Sequence, residues 1–136
     1  MNAQLIANSL NEFLKSEVYD ITTPRFVKAG NDNDVANLVA DMAAGKVGAL
    51  FIYNSNPSYS LANAEAFNKA LKKVKLSVNC TMSNDETALQ SQLVATTPHY
   101  LESWGDAQFQ AGEYSLMQPT IKQLFDTRQF EDSMLI

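Results

Sequence analysis

Two periodicities alternate along most of this chain, and that alternation restricts its fold more than any other feature. Stretches with apolar residues at helical spacing take turns with short runs suited to strands. Ala3, Ile6, Leu10, Phe13 and Leu14 share one helical face, which predicts a helix over about Ala3 to Lys15. A second helix carries Val35, Leu38, Val39 and Met42 as its buried stripe, with Asp32 or Asn33 as cap and Gly45 as C-terminal stop. A third puts Ala64, Phe67, Leu71 and Val74 inward and Lys69, Lys72 and Lys73 outward. Between helices, residues Val47 to Tyr53 form a short continuous apolar run, expected of a strand covered on both faces. Leu76 to Thr81 alternates apolar and polar, and Leu93 to Thr96 is a third strand candidate. Helix, strand, helix, strand, helix, strand predicts an α/β fold: a three-layer α/β/α, Rossmann-like domain with a mostly parallel sheet and right-handed crossovers.

Val18 to Ile21 reads as a short extended piece, and Thr22 to Asn33, with Pro24 and Gly30, as a loop. After Thr97 the pattern weakens. Pro98, Gly105, Gly112 and Pro119 break it into an irregular C-terminal segment, with a last short helix expected over Ile121 to Phe130. The expectation is a single α/β domain over residues 1–136. Its start lacks the basic leader and apolar core of a signal peptide. Its end, Ser133-Met134-Leu135-Ile136, falls in an apolar stretch. Both ends read as cut, so the domain is expected to be excised from a larger, multidomain protein.

The single cysteine rules out an internal disulfide, a zinc site built on cysteines, and an iron–sulfur cluster held by this chain alone. Ten Lys and Arg against fifteen Asp and Glu leave a net charge of −5, without the cationic face that nucleic acid requires. No apolar run reaches the roughly 20 residues of a membrane span.

Open parallel sheets bind ligands at the carboxyl ends of their strands. Here those ends are Asn54-Ser55-Asn56-Pro57, Asn79 to Asn84, and Thr96 to His99. The first loop is rich in amide side chains able to bond a polar ligand, but it has no glycine and is neither a dinucleotide fingerprint nor a P-loop. Its plain reading is a capped turn into the third helix. Asp85 and Glu86 are adjacent, so their side chains diverge and do not share a substrate. Ser83 and Glu86 form a capping-box pattern for a short helix. His99 has no second histidine to work with, and Cys80 sits on a strand expected to be buried, so a Cys–His nucleophile pair is disfavoured. Ser55, Ser58 and Ser60 lack the flanking glycines of a nucleophile elbow. No residue is assigned as catalytic and none as a metal ligand. Tyr100, Trp104, Phe109 and Tyr114, with Leu101 and Met117, either cover one edge of the sheet or form a docking surface. In an excised domain that region is expected to expose apolar side chains.

Several motifs together resemble the molybdopterin oxidoreductases, the family of formate dehydrogenase and dimethyl sulfoxide reductase. From about Val47 to Arg128, an apolar strand leads into Asn56-Pro57, a helix and second strand follow, and Asp85-Glu86-Thr87-Ala88 is similar to the family's Thr-Glu-Thr-Ala. Glu102-Ser103-Trp104-Gly105 matches its Glu-x-x-Gly. Leu101 to Ala107, Gln118-Pro119-Thr120-Ile121 and Phe125-Asp126-Thr127-Arg128 look typical of one branch, the large iron–sulfur, molybdopterin-oxidoreductase-like subunit of bacterial alternative complex III. In the wider family such a domain helps to hold a pterin dinucleotide. Carried over by position, the cofactor contacts fall on Asn54, Asn56, Pro57, Asn79 and Thr87. Three features depart from the family: Asn54 replaces the glycine two residues before Asn-Pro, Gln92 replaces its Asp, and Ala95-Thr96 its Leu-Pro.

The resemblance implies a structural and interaction domain of a respiratory quinol-oxidising complex, on the periplasmic side of the cytoplasmic membrane. Its partners would be sibling domains of the parent chain and other subunits of the membrane-bound complex, without a membrane span of its own. No redox chemistry falls within the domain, and the iron–sulfur clusters belong to other parts of the parent. The alternative is a pterin-dinucleotide-binding domain of a true molybdenum or tungsten oxidoreductase, with molybdopterin guanine dinucleotide as cofactor.

Overall fold

The computed structural model describes residues 2–17, 23, 25 and 30–130, which group into two compact units. The expected extended piece at residues 18–21 lies outside the described residues, as do the last six. One unit contains residues 30–105 and 118–130 and carries the parallel sheet. The other contains helix α1 (Asn2–Phe13) and most of a two-stranded sheet, β4 (Gly105–Gln110) and β5 (Glu113–Met117).

In the larger unit, α2 spans Asp32–Ala43. Its cap is Asn31, one residue before the expected Asp32 or Asn33: the Asn31 side chain accepts from the Asn33 N–H at 3.1 Å. That frees Asp32 and Asp34 to sit in the first turn, where negative charge suits the helix dipole. The helix stops at Gly45, as expected. Gly45 adopts φ +73°, its N–H donates to Met42 O, and Lys46 N–H donates to Asp41 O, the paired bonds of a Schellman motif. The same motif ends α1 at Lys15, at φ +50°, with Lys15 N–H on Glu12 O and Ser16 N–H on Asn11 O.

Three parallel strands follow in the order β1 (Ala49–Tyr53), β2 (Leu76–Thr81), β3 (Leu93–Thr96). The expected third helix is divided in two. Pro57 opens the single turn α3 (Pro57–Ser60), Leu61 is extended, and Asn63 caps α4 (Ala64–Leu71) by accepting from the Ala66 N–H. An asparagine competes for backbone groups inside a helix and is better placed capping one. Between β2 and β3 there is only a short 3₁₀ turn, Ala88–Gln90.

The core lies on one face of this sheet. Met42 of α2, Ile52 of β1, Phe67, Ala70 and Leu71 of α4, and Val74 form the buried cluster, with Val39, Val47, Leu50 and Leu61 against it. The opposite face of β1 is only partly covered, by the Phe130 ring on Tyr53 and Phe51, which stay 42% and 45% exposed. The α/β class and the parallel sheet stand, while the expected burial of β1 on both faces does not.

Two further readings are corrected. The segment after Gly105, read as loops, contains the β4–β5 hairpin, closed by Ala111 and Gly112, with Gly112 at φ +83°. Arg25 forms an isolated antiparallel bridge to Gln110. The short helix expected over Ile121–Phe130 is absent from residues 121–129, which run as bends held by local bonds such as Gln123 Nε2 to Thr127 O. Of the aromatic and apolar residues singled out after Thr97, Tyr100, Trp104, Phe109, Tyr114 and Met117 are exposed, while Leu101 is half-buried.

Burial predicts where this fold is sensitive. Leu71→Ala, at a buried core position, is expected to cost about 2–5 kcal/mol in chemical denaturation. Leu116→Ala, on an exposed side chain, is expected to change stability by less than about 0.5 kcal/mol.

Candidate functional site

β1 and β2 end side by side, with Tyr53 in register with Cys80, and the loops beyond them create the candidate site. Asn54 leaves β1 at φ +46°, donating its N–H to Cys80 O at 3.0 Å. A left-handed residue is what a glycine would supply here, and asparagine tolerates that region better than other side chains. Asn54 thus keeps the backbone geometry while adding an amide to the mouth of the site.

Asn56 sits at the centre of the loop contacts. Its Nδ2 donates to Glu86 Oε2 at 2.6 Å, and its Oδ1 accepts from Thr87 Oγ1 at 2.7 Å. Thr87 Oγ1 in turn accepts from Ser58 N–H at 3.0 Å. Thr87 is fully buried, and through these two bonds its hydroxyl pins the β1 loop to the β2 loop. The Ser58 hydroxyl donates to Asn68 Oδ1, tying α3 to α4. The Asn56 hydrogen bond, with a bond from the Glu86 backbone, holds the Glu86 carboxyl below the ordinary glutamate range.

Asp85 and Glu86 do part ways. Asp85 Oδ1 accepts from Ala88 N–H at 2.8 Å and from Asn79 Nδ2 at 3.4 Å, while Glu86 reaches Asn56. The cap of the short turn is therefore Asp85, not Ser83, whose own N–H donates to Thr81 Oγ1. An aspartate three residues before Ala88 was the legible signal for this.

A cleft of about 370 Å³ opens at these strand ends, lined by Asn54, Ser55, Asn56, Thr81, Met82, Ser83, Asp85, Pro98 and Tyr100. Of the five positions carried over as cofactor contacts, Asn54 and Asn56 line it. Pro57 starts α3, and Thr87 and Asn79 are fully buried behind it. Asn79 Oδ1 has no hydrogen-bond partner among the described residues. Met82, Pro98 and Tyr100 are lining residues that the motif comparison did not single out.

The lining suits a small uncharged polar group. It does not fit the diphosphate of a pterin dinucleotide. Diphosphates are held by glycine-rich backbone or by cations, whereas this cleft has no Lys or Arg, one carboxylate in Asp85, and no glycine. Elsewhere, Cys80 is buried and its thiol pKa is raised by burial. His99 Nδ1 accepts from Leu101 N–H and its ring packs on Tyr100, so it stabilises a turn. Among the described residues no group of three or more His, Cys, Asp or Glu is placed to hold a metal.

No family model matches the chain. Over 115 residues it is 35% identical to the menaquinone reductase, molybdopterin-binding-like subunit, of Nitratidesulfovibrio vulgaris. The chain is molybdopterin-oxidoreductase-like. The match covers 79% of the chain but spans only 17% of the length of that relative. Gln92, which replaces the family's aspartate, is held within the sheet unit: its N–H donates to Ser77 Oγ and its Oε1 accepts from Ser77 N–H.

Two outcomes test the loop contacts. Thr87→Val is expected to cost about 1–3 kcal/mol, because Asn56 Oδ1 and Ser58 N–H lose their partner. In an NMR titration Glu86 is expected to titrate below the ordinary glutamate range, and Asn56→Ala to return it there. The sign follows from the depressed pKa. The stabilisation from ionised Glu86 is present above its unfolded pKa and is lost as pH falls through the folded one.

Proposed function

We propose that this chain is a structural and interaction α/β domain of a molybdopterin-oxidoreductase-like subunit in a quinone-linked respiratory electron-transfer complex, with no redox step on its own residues. The observation that carries this reading is the 35% identity over 115 residues to a menaquinone reductase subunit. Three features support the scaffold role. The loop residues Asn56 and Thr87 bond each other. The cleft lacks groups for a diphosphate. Large apolar and aromatic side chains lie exposed in both units. No described helix is long and apolar enough to cross a membrane, so attachment would come through partner subunits and the rest of the parent chain.

Within that reading, the motifs around Leu101 to Ala107 and Phe125 to Arg128 favour the branch found in alternative complex III, which oxidises quinol. On that reading the domain would lie on the periplasmic side, beside sibling domains that hold iron–sulfur clusters. The domain's contribution would be to fix the spacing of those clusters by packing.

A second reading takes the relative's printed description, molybdopterin-binding-like, at its word. The domain would then hold half of a pterin dinucleotide through Asn54, Asn56, Pro57, Asn79 and Thr87.

Elemental analysis of the purified parent protein separates the two. Iron without molybdenum or tungsten is the expected result. Stoichiometric molybdenum or tungsten would overturn the scaffold reading and make Asn54 and Asn56 cofactor contacts.

A further inference from the structure

Charge is distributed unevenly over the larger unit. Every Lys and Arg between residues 30 and 105 falls within 46–75: Lys46, Lys69, Lys72, Lys73 and Lys75. The topology gathers them at one edge. α4 runs back from the carboxyl end of β1 to the amino end of β2. Lys69 in its last turn, Lys72 at its cap, and Lys73 and Lys75 in the turn beyond therefore reach the amino-terminal edge of the sheet. Lys73 Nζ donates to Ala43 O at 2.7 Å, which brings the end of α2, and Lys46 after it, to the same place. Leu76 N–H donates to Gly48 O at 3.1 Å, which seats Lys75 beside the start of β1. All five lysines are exposed. Acids take the other end: Asp32 and Asp34 open α2, Glu65 opens α4, and Asp85 and Glu86 follow β2.

Structural duties account for part of the cluster. A cation at a helix C-terminus offsets the macrodipole, and Lys73 does this for α2. Lys46 pairs with Asp41 at 2.9 Å, and Lys69 with Glu65 at 2.6 Å. The ammonium groups of Lys72 and Lys75 have no partner among the described residues. The residue type indicates what they face. Protein interfaces are depleted in lysine and enriched in arginine, and this edge has lysine without arginine. Lysine is a compact, hydrated point charge, without the planar fork that fixes a single carboxylate or phosphate in register. Such an array suits a diffuse layer of negative charge, where the number of cations matters more than their geometry. The acids at the far end make the unit a dipole, which would approach that layer lysine edge first.

We propose that the Lys69–Lys75 edge, with Lys46, is a peripheral contact surface for an anionic lipid bilayer, additional to attachment through partner subunits. The proposal does not rest on the functional reading above: metal content tests the one, vesicle binding the other.

Co-sedimentation of the intact chain with vesicles is the test. Binding is expected to phosphatidylcholine vesicles containing about one-third phosphatidylglycerol, and not to phosphatidylcholine alone. It is expected to be lost at about 1 M salt, where the Debye length is about 3 Å. Each lysine brought near such a surface is worth about five-fold in affinity. Lys72→Gln with Lys75→Gln, which have no side-chain bond to lose, is therefore expected to weaken binding on the order of twenty-fold. Lys72→Arg with Lys75→Arg is expected to retain it. Ile121 N–H bonds Leu101 O, beyond the carboxyl end of β3, so Lys122 stands away from the edge. Lys122→Gln is expected to leave binding unchanged. Equal binding to neutral vesicles, or full binding by the Gln pair, would overturn the proposal. An intact chain that ignores anionic vesicles would overturn it too, and its retention on immobilised polyglutamate would make an acidic protein the partner instead.

Discussion

A parallel sheet cannot leave its helix-side face wet, and that requirement organises the larger unit. Leu50 and Ile52 of β1 supply the apolar face, and Met42, Phe67, Leu71 and Val74 cover it. Once these side chains are buried, α2 and α4 are fixed against the sheet, and the ends of β1 and β2 are brought level. The loops that leave those ends then lie within bonding distance without strain, apart from Asn54 at its positive φ.

The polar layer follows from the apolar one. Ser77, Asn79, Thr81 and Thr87 are all buried, so each hydroxyl or amide carries a desolvation cost unless bonded. Most are satisfied locally. Ser77 bonds the backbone N–H of Gln92, Thr81 that of Ser83, and Thr87 both Asn56 and Ser58. These bonds join β2 to the segments beside it at both ends of the sheet. The loops of the candidate site are therefore held together largely by their own side chains, with Asn79 Oδ1 the exception that has no partner among the described residues.

The elements that the sequence made legible were those with a clear apolar pattern. β2 and β3 begin and end as their alternation and apolar run implied, and Phe67 and Leu71 of α4 reach the core. Of the expected α2 stripe only Met42 and Val39 do, Val35 and Leu38 being exposed. The hairpin was not legible because β4 and β5 bury little. Asp106, Gln108 and Gln110 alternate with Ala107 and Phe109, yet Phe109 is exposed, so no core signal reinforced the pattern. At the site, Asn54 and Asn56 were found by position in a motif, while the roles of Asp85 and Glu86 were only half visible. A carboxylate's choice between capping Ala88 and bonding Asn56 is decided by a loop more than two dozen residues away in sequence, which no local pattern encodes.

Asn54 shows how a loop can carry a polar side chain at a position whose backbone suits glycine. The position demands a left-handed backbone, which glycine provides without cost and asparagine provides nearly as well. Substituting one for the other preserves the exit of β1 and its bond to Cys80 O. What changes is space and polarity, because a side-chain amide stands at the mouth of the cleft. Asp85 adds negative charge to the same wall. The Asp85 carboxylate disfavours an anionic ligand, and neither side chain disturbs the register of β1 on β2. The pairing of the strands and the chemistry of the cleft mouth therefore rest on separate atoms of the same loops.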